Sequence, residues 1–198
     1  VIIPGMVNTH HHCAHTVLRN MPHTYGLPLN SWLKSLYAPL QCFNEETIYA
    51  ATLGALGDLL KTGCTTSVDH HYVFPRQAPR MIDAQVKAAG KLGIRFHVMR
   101  GSPSTGAEGG CPHVPPALVE PVDHMVTDCV RVIEAYHDTN RAPWCGWALP
   151  PAGWSTKPPR RSGRPGAWPN TITLRCTAIW PTAGTNTPSP LKSTAAHP

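Results

Sequence analysis

Between Val1 and Tyr136 two kinds of apolar pattern take turns, and that alternation limits the fold more than any single motif. Met6-Val7, Cys64-Thr65-Thr66-Ser67-Val68 and Ile94-Arg95-Phe96-His97-Val98-Met99 are short, partly β-branched runs that read as strands. Between and after them lie three segments with helical spacing. The first opens at Asn44, a good N-cap, with Glu45 and Glu46 in the turn where the helix dipole favours acids. Its apolar face is Ile48, Ala55, Leu56, Leu59 and Leu60, and Gly63 supplies the stop. The second runs from Arg80 to Lys91, with Met81, Ile82, Val86, Ala89 and the adjoining Leu92 inward; the third runs from about Val122 to Tyr136, with Met125, Cys129, Val132, Ile133 and Tyr136 on one side. A strand–helix order repeated three times implies parallel strands joined by right-handed crossovers, in a (β/α)8 barrel or an open doubly wound sheet.

The polar residues at the strand ends decide between the two. The first strand ends in His10-His11-His12, the second in Asp69-His70-His71, and the third in Arg100 with Ser102 just beyond. Chemistry spread over several strand ends is the mark of the carboxyl-terminal face of a barrel, whereas an open sheet would carry a glycine-rich phosphate loop after its first strand. The expectation is therefore a partial (β/α)8 TIM barrel, about the first three βα units, followed by an irregular tail. A further short helix is expected inside the long connection from Cys13 to Phe43, capped by Asn30 or Ser31, with Trp32, Leu33, Leu36 and Tyr37 as its apolar face. Connections of that length usually carry function.

Side chains alternate along a strand, so His10 and His12 project together and His11 projects away. Paired imidazoles at the end of a buried strand suit zinc and other divalent first-row metals. The plainer alternatives are a polar strand end or a leftover purification tag; the tag is disfavoured because the histidines sit inside a patterned segment.

Composition splits the chain in two. Residues 1–140 hold all 11 Asp and Glu against 10 Lys and Arg, whereas residues 141–198 hold no acid, seven Lys or Arg, five of six Trp and 11 of 22 Pro. The formal charge of +6 thus comes wholly from the tail and gives no reason to expect a nucleic-acid face on the folded part. Seven scattered cysteines without a Cys-x-x-Cys pair argue for reduced thiols and a cytoplasmic setting. No apolar run reaches the length of a membrane span.

Pro4-Gly5-Met6-Val7-Asn8-Thr9-His10-His11-His12 resembles the first-strand motif of the amidohydrolase superfamily. Trp32-Leu33-Lys34, Thr62-Gly63-Cys64-Thr65-Thr66 and Asp69-His70-His71-Tyr72 narrow the resemblance to the cytosine/guanine deaminase and triazine hydrolase branch. With Arg95-Phe96-His97 and Arg100-Gly101-Ser102 the nearest likeness is to the 8-oxoguanine deaminases. The resemblance runs from Val1 to about Asp138. It implies one divalent metal, zinc ahead of iron, held by His10 and His12 together with later histidines and an aspartate. It also implies water activation by that metal, attack on an amino-bearing ring carbon, release of ammonia, and a glutamate that shuttles protons. The expected partner is a small heterocycle, purine-like or a triazine; no membrane or nucleic acid is expected, and full-length members are expected to be homo-oligomers.

Within that frame His15, His70, His71, Arg100 and Ser102 are the expected substrate contacts. His15 stands where the family pattern calls for Gln, and His70 and His71 either touch substrate or line the barrel mouth. Asp69 is expected to orient a neighbouring histidine, His97 to be a satisfied core residue, and Cys13 and Cys64 to be packing residues.

Beyond residue 140 the family's later motifs are absent as written; the only later histidine is His197. A shift of reading frame by one base lets Arg175–Pro181 encode Leu-His-x-His-Leu-Ala, and lets Pro143–Trp147 encode Met-Val-Arg-Val, a plausible strand. Residues 141–198 are therefore expected to be out of frame and to form no cooperative core, rather than a disordered basic tail on a non-catalytic, nucleic-acid-binding remnant. With no catalytic carboxylate in place and half a barrel missing, the chain is expected to expose a strand edge and to be inactive and poorly stable alone.

Overall fold

The computed structural model describes residues 1–102 and 114–138 with their side chains, and the backbone of 145–148. β1 (Met6–His11), α1 (Leu29–Leu40), α2 (Glu45–Lys61), β2 (Cys64–His71), α3 (Met81–Leu92), β3 (Arg95–Arg100), α4 (Val122–Tyr136) and β4 (Cys145–Ala148) follow one another, with short 3-10 turns at Cys13–Leu18, Pro22–Thr24 and Pro116–Leu118. The described strands form one parallel sheet in the order β1-β2-β3-β4. Sequential parallel order with intervening helices is the opening arc of a (β/α)8 barrel.

Local chemistry sets the element ends. Asn44 Oδ1 accepts the Thr47 amide at 2.8 Å, capping α2, and Gly63 takes φ +85°, a conformation that favours glycine, to turn the chain into β2. At Gly5 a side chain would overlap that of Thr65, so only glycine lets β1 lie this close to β2. α1 begins at Leu29 after Pro28, whose carbonyl accepts the Trp32 amide, and not at the expected Asn30 or Ser31 cap. Proline fixes its own φ and lacks a donor, which suits it to a helix start.

The core lies between the sheet and the helices. α2 contributes Ile48, Ala51, Ala55 and Leu56, α3 contributes Met81, Ile82, Val86 and Ala89, and Phe96 and Val98 of β3 are wholly buried beneath them. α1 closes one end with Leu33, Leu36, Tyr37 and Leu40.

One expectation is corrected. Met6 and Val7 are 50% and 59% exposed, so β1 is not a buried strand in this chain. It is the outer strand of the sheet, and among the described residues no strand pairs with its free side. Beyond residue 140, β4 (Cys145–Ala148) lies parallel to β3. The shifted-frame motif at Arg175–Pro181, and the tail from residue 149 onward, lie outside the described residues. Among the described residues no helix is long and apolar enough to cross a membrane.

Candidate metal centre and barrel mouth

β1 and β2 run side by side with a register shift between Asn8 and His11, and Asn8 Oδ1 accepts the His10 amide at 3.0 Å. That local kink ends the strand with His10 and His12 on one side. Their Nε2 atoms stand 3.2 Å apart. His12 Nδ1 lies 2.7 Å from the His70 carbonyl oxygen; since a carbonyl only accepts, Nδ1 carries the proton and Nε2 keeps its lone pair.

Two further histidines complete the group. The His70 ring packs on His10 with centroids 4.0 Å apart, and the His15 ring stacks on His12 at 4.9 Å. His15 Nε2 pairs with the Tyr72 hydroxyl at 2.9 Å and meets the edge of Trp32. Burial favours the neutral form of His12, His15 and His70. Desolvation lowers the pKa of His12, and lowers those of His15 and His70 to about 4, in each case helped by neighbouring imidazoles. Desolvation likewise raises the Tyr72 phenol. Three of the rings at the mouth, His12, His15 and His70, are thus held uncharged beside the Tyr72 hydroxyl, a surface suited to a neutral planar ligand.

Of the residues expected here, the structure brings His10, His12, His15 and His70 together and leaves three out. His71 is 1% exposed, with its ring against Phe74, and burial lowers its pKa to about 4. Asp69 and then the Val73 backbone favour its charged form, against the larger effect of burial. Arg100 is 2% exposed and already saturated: its guanidinium makes a two-pronged pair with Glu120 at 2.6 and 2.7 Å, reaches Asp128 at 3.0 Å, and lies over the Phe74 ring. Ser102 sits beside Glu120 and belongs to the same cluster. The physical reason is register. Arg100 pairs with His71 across β2 and β3, and its long side chain turns toward carboxylates delivered by Glu120 and α4.

Asp69 also differs from expectation. Its carboxylate accepts the Cys13 amide at 2.6 Å and Gln85 Nε2 at 2.7 Å, so it ties the end of β1 to α3 and orients no histidine ring. His97 is partly buried, its pKa lowered by desolvation and by His137. The sequence reading missed Tyr72 and Trp32 as site residues, although both stand in motifs that carried the resemblance. Their aromatic character beside a histidine cluster was the available signal.

A parallel strand–helix arc with a histidine cluster at its strand tips defines the class: part of a (β/α)8 barrel. The chain belongs to the amidohydrolase family, whose pattern matches residues 1–145. It is 41% identical over 138 residues to an 8-oxoguanine deaminase of Pseudomonas aeruginosa, covering 69% of this chain and 30% of the relative. It is 37% identical over 139 residues to a hydroxydechloroatrazine ethylaminohydrolase of Pseudomonas sp. strain ADP, covering 68% and 28%. Among solved structures, the zinc complex of an atrazine chlorohydrolase from Arthrobacter aurescens TC1 superposes with a TM-score of 0.69 at 32% identity, over 75% of this chain and 34% of that one. The chain therefore spans about a third or less of the relatives it matches.

Proposed function

We propose that this chain is the opening part of a metal-dependent aminohydrolase barrel, and that the complete barrel hydrolyses a carbon–nitrogen bond on a purine-like heterocycle such as 8-oxoguanine. The observation that carries this is the pairing of His10 and His12. Two nitrogens about 2.0–2.1 Å from one zinc at a tetrahedral angle would lie roughly 3.3–3.4 Å apart. The 3.2 Å between the two Nε2 atoms fits that spacing. His12 also has the second-layer partner that a metal-bound imidazole uses, since its Nδ1 proton is held by the His70 carbonyl. The donor set therefore fits a divalent ion, with zinc favoured over iron because a similar structure is a zinc complex. Bound there, such an ion would supply Lewis-acid activation of water.

The chain's own residues do the rest of what can be assigned. His10 and His12 hold the ion, His70 packs its ring against His10, and His15 with Tyr72 presents a hydrogen-bonding edge toward the ligand. Trp32 is placed to stack on it. Zinc sites use three or four protein donors, and this chain offers two here, so it binds metal weakly and is inactive by itself. Cytoplasmic location, a small-molecule partner without membrane or nucleic acid, and homo-oligomers of the full-length protein belong to the same proposal, as does a division at about residue 140 between the barrel part and a non-native tail.

A second reading, hydrolysis of a triazine substituent on the same scaffold, is favoured by the similarity to the two triazine-acting enzymes. The test joins residues 1–138 to the remainder of a related barrel and measures ammonia release from 8-oxoguanine and isoxanthopterin against amine or chloride release from triazines. Ammonia from the purine, lost in His12→Ala, is the expected result. Turnover of triazines alone transfers the assignment to the second reading. Turnover by the purified 198-residue chain, with metal near one equivalent, refutes the claim that it is inactive.

A further inference from the structure

His11, directly between the two mouth histidines, faces the other way. It pairs in register with Asp69, and a ring nitrogen of His11, the Cys13 thiol and an Asp69 carboxylate oxygen all lie within 4.8 Å of one another. We propose that these three side chains form a second metal site, on the helix side of β1, for a borderline-to-soft divalent ion such as zinc. It goes beyond the mouth reading and does not depend on it.

Three observations carry this. The donors are one imidazole, one thiol and one carboxylate, the mixture that zinc accepts and that calcium or magnesium does not. The spacing is roughly 1 Å wider than a closed tetrahedral site requires, a contraction that side-chain rotation can supply. The surroundings are also short of partners. His11 Nδ1 is buried without a hydrogen bond, and so is Oε1 of Gln85, a fully buried side chain whose amide already rests on Asp69. Buried polar atoms without partners are rare and point to a ligand. Asp69 retains capacity, because a carboxylate offers about four acceptor positions and two are in use. Binding replaces the Cys13 S–H proton with the metal and releases that proton to solvent. An ion here would clamp the end of β1 to β2 and fix the turn from Cys13 that carries His15.

Cobalt(II) alone, titrated into the purified chain, separates the two sites, because only a thiolate ligand gives the intense near-ultraviolet sulfur-to-cobalt band. The expected result is such a band, saturating near one equivalent, unchanged when His10 and His12 are both replaced by Ala, and lost in Cys13→Ser. His11→Ala alters a partly exposed position, so it keeps the fold, checked by circular dichroism, while cobalt affinity at the band falls by more than roughly tenfold. No band in the folded wild type, a band that survives Cys13→Ser, or full affinity in His11→Ala overturns the proposal.

Discussion

The tips of β1 and β3 look alike in sequence, each a strand ending in nitrogen-rich polar residues, yet they do opposite things. At β1, His10, His12, His15 and His70 crowd together, with the Nε2 atoms of His10 and His12 3.2 Å apart. At β3, Arg100 is paired with Glu120 and Asp128, and Arg131 continues the chain of charges to Asp83 and the Tyr136 hydroxyl. One tip has binding capacity to spare and the other has used all of it on its own fold. Position at a strand end is therefore not enough to assign a residue to a site; the partners already engaged decide.

The sharpest way to break this contrast is to remove Arg100. Arg100→Met takes the two-pronged partner from Glu120, 6% exposed, leaving a buried carboxylate with the His124 ring and Ser102, although Arg100 is the chief group that lowers its pKa against burial. A loss of about 3–5 kcal/mol is expected, read as a fall in the urea midpoint. Pairing it with Glu120→Gln should restore part of the loss. If Arg100→Met instead left stability unchanged and only weakened ligand binding in a completed barrel, Arg100 would belong to the mouth after all.

A smaller effect is expected at His71, whose ring is buried against Phe74. The unfolded imidazole takes up a proton near pH 6.5, while the buried ring resists until about pH 4. The unfolded chain thus binds more protons in that window. Stability is complete above about 6.5 and drains as pH falls toward 4, by about 3 kcal/mol for this one group. His71→Asn should flatten the pH dependence by that amount relative to wild type. An unchanged slope would mean that His71 already titrates normally and faces water.

Most of the element order was legible because helical and strand periodicities are strong and local. α4 falls on Val122–Tyr136 as expected, and α2 and α3 agree within a residue or two. Burial of β1 was not legible. The Met6-Val7 run carries the apolar character of a strand that is covered in a closed barrel, whereas among the described residues it stands at the sheet edge, half exposed. The pairing of His10 with His12 could be read from alternation alone. The fate of Arg100 could not, because Glu120 and Asp128 lie 20 and 28 residues away and meet it only through the fold.

The smallest expected effect on stability is at the mouth itself. His10 is exposed, and its side chain touches other rings without holding any backbone group. His10→Ala should therefore change the urea midpoint by no more than about 0.5 kcal/mol, the usual range for a surface change away from packed contacts. In a completed barrel the same substitution removes one of the two paired nitrogens, and zinc affinity by competition with a chromophoric chelator should fall far more than stability does. His12→Ala should cost slightly more stability, since it also removes the Nδ1 bond to the His70 carbonyl that ties β1 to β2. If His10→Ala unfolded the chain while leaving zinc affinity intact, the two strand tips would exchange roles, and the histidines would be structural.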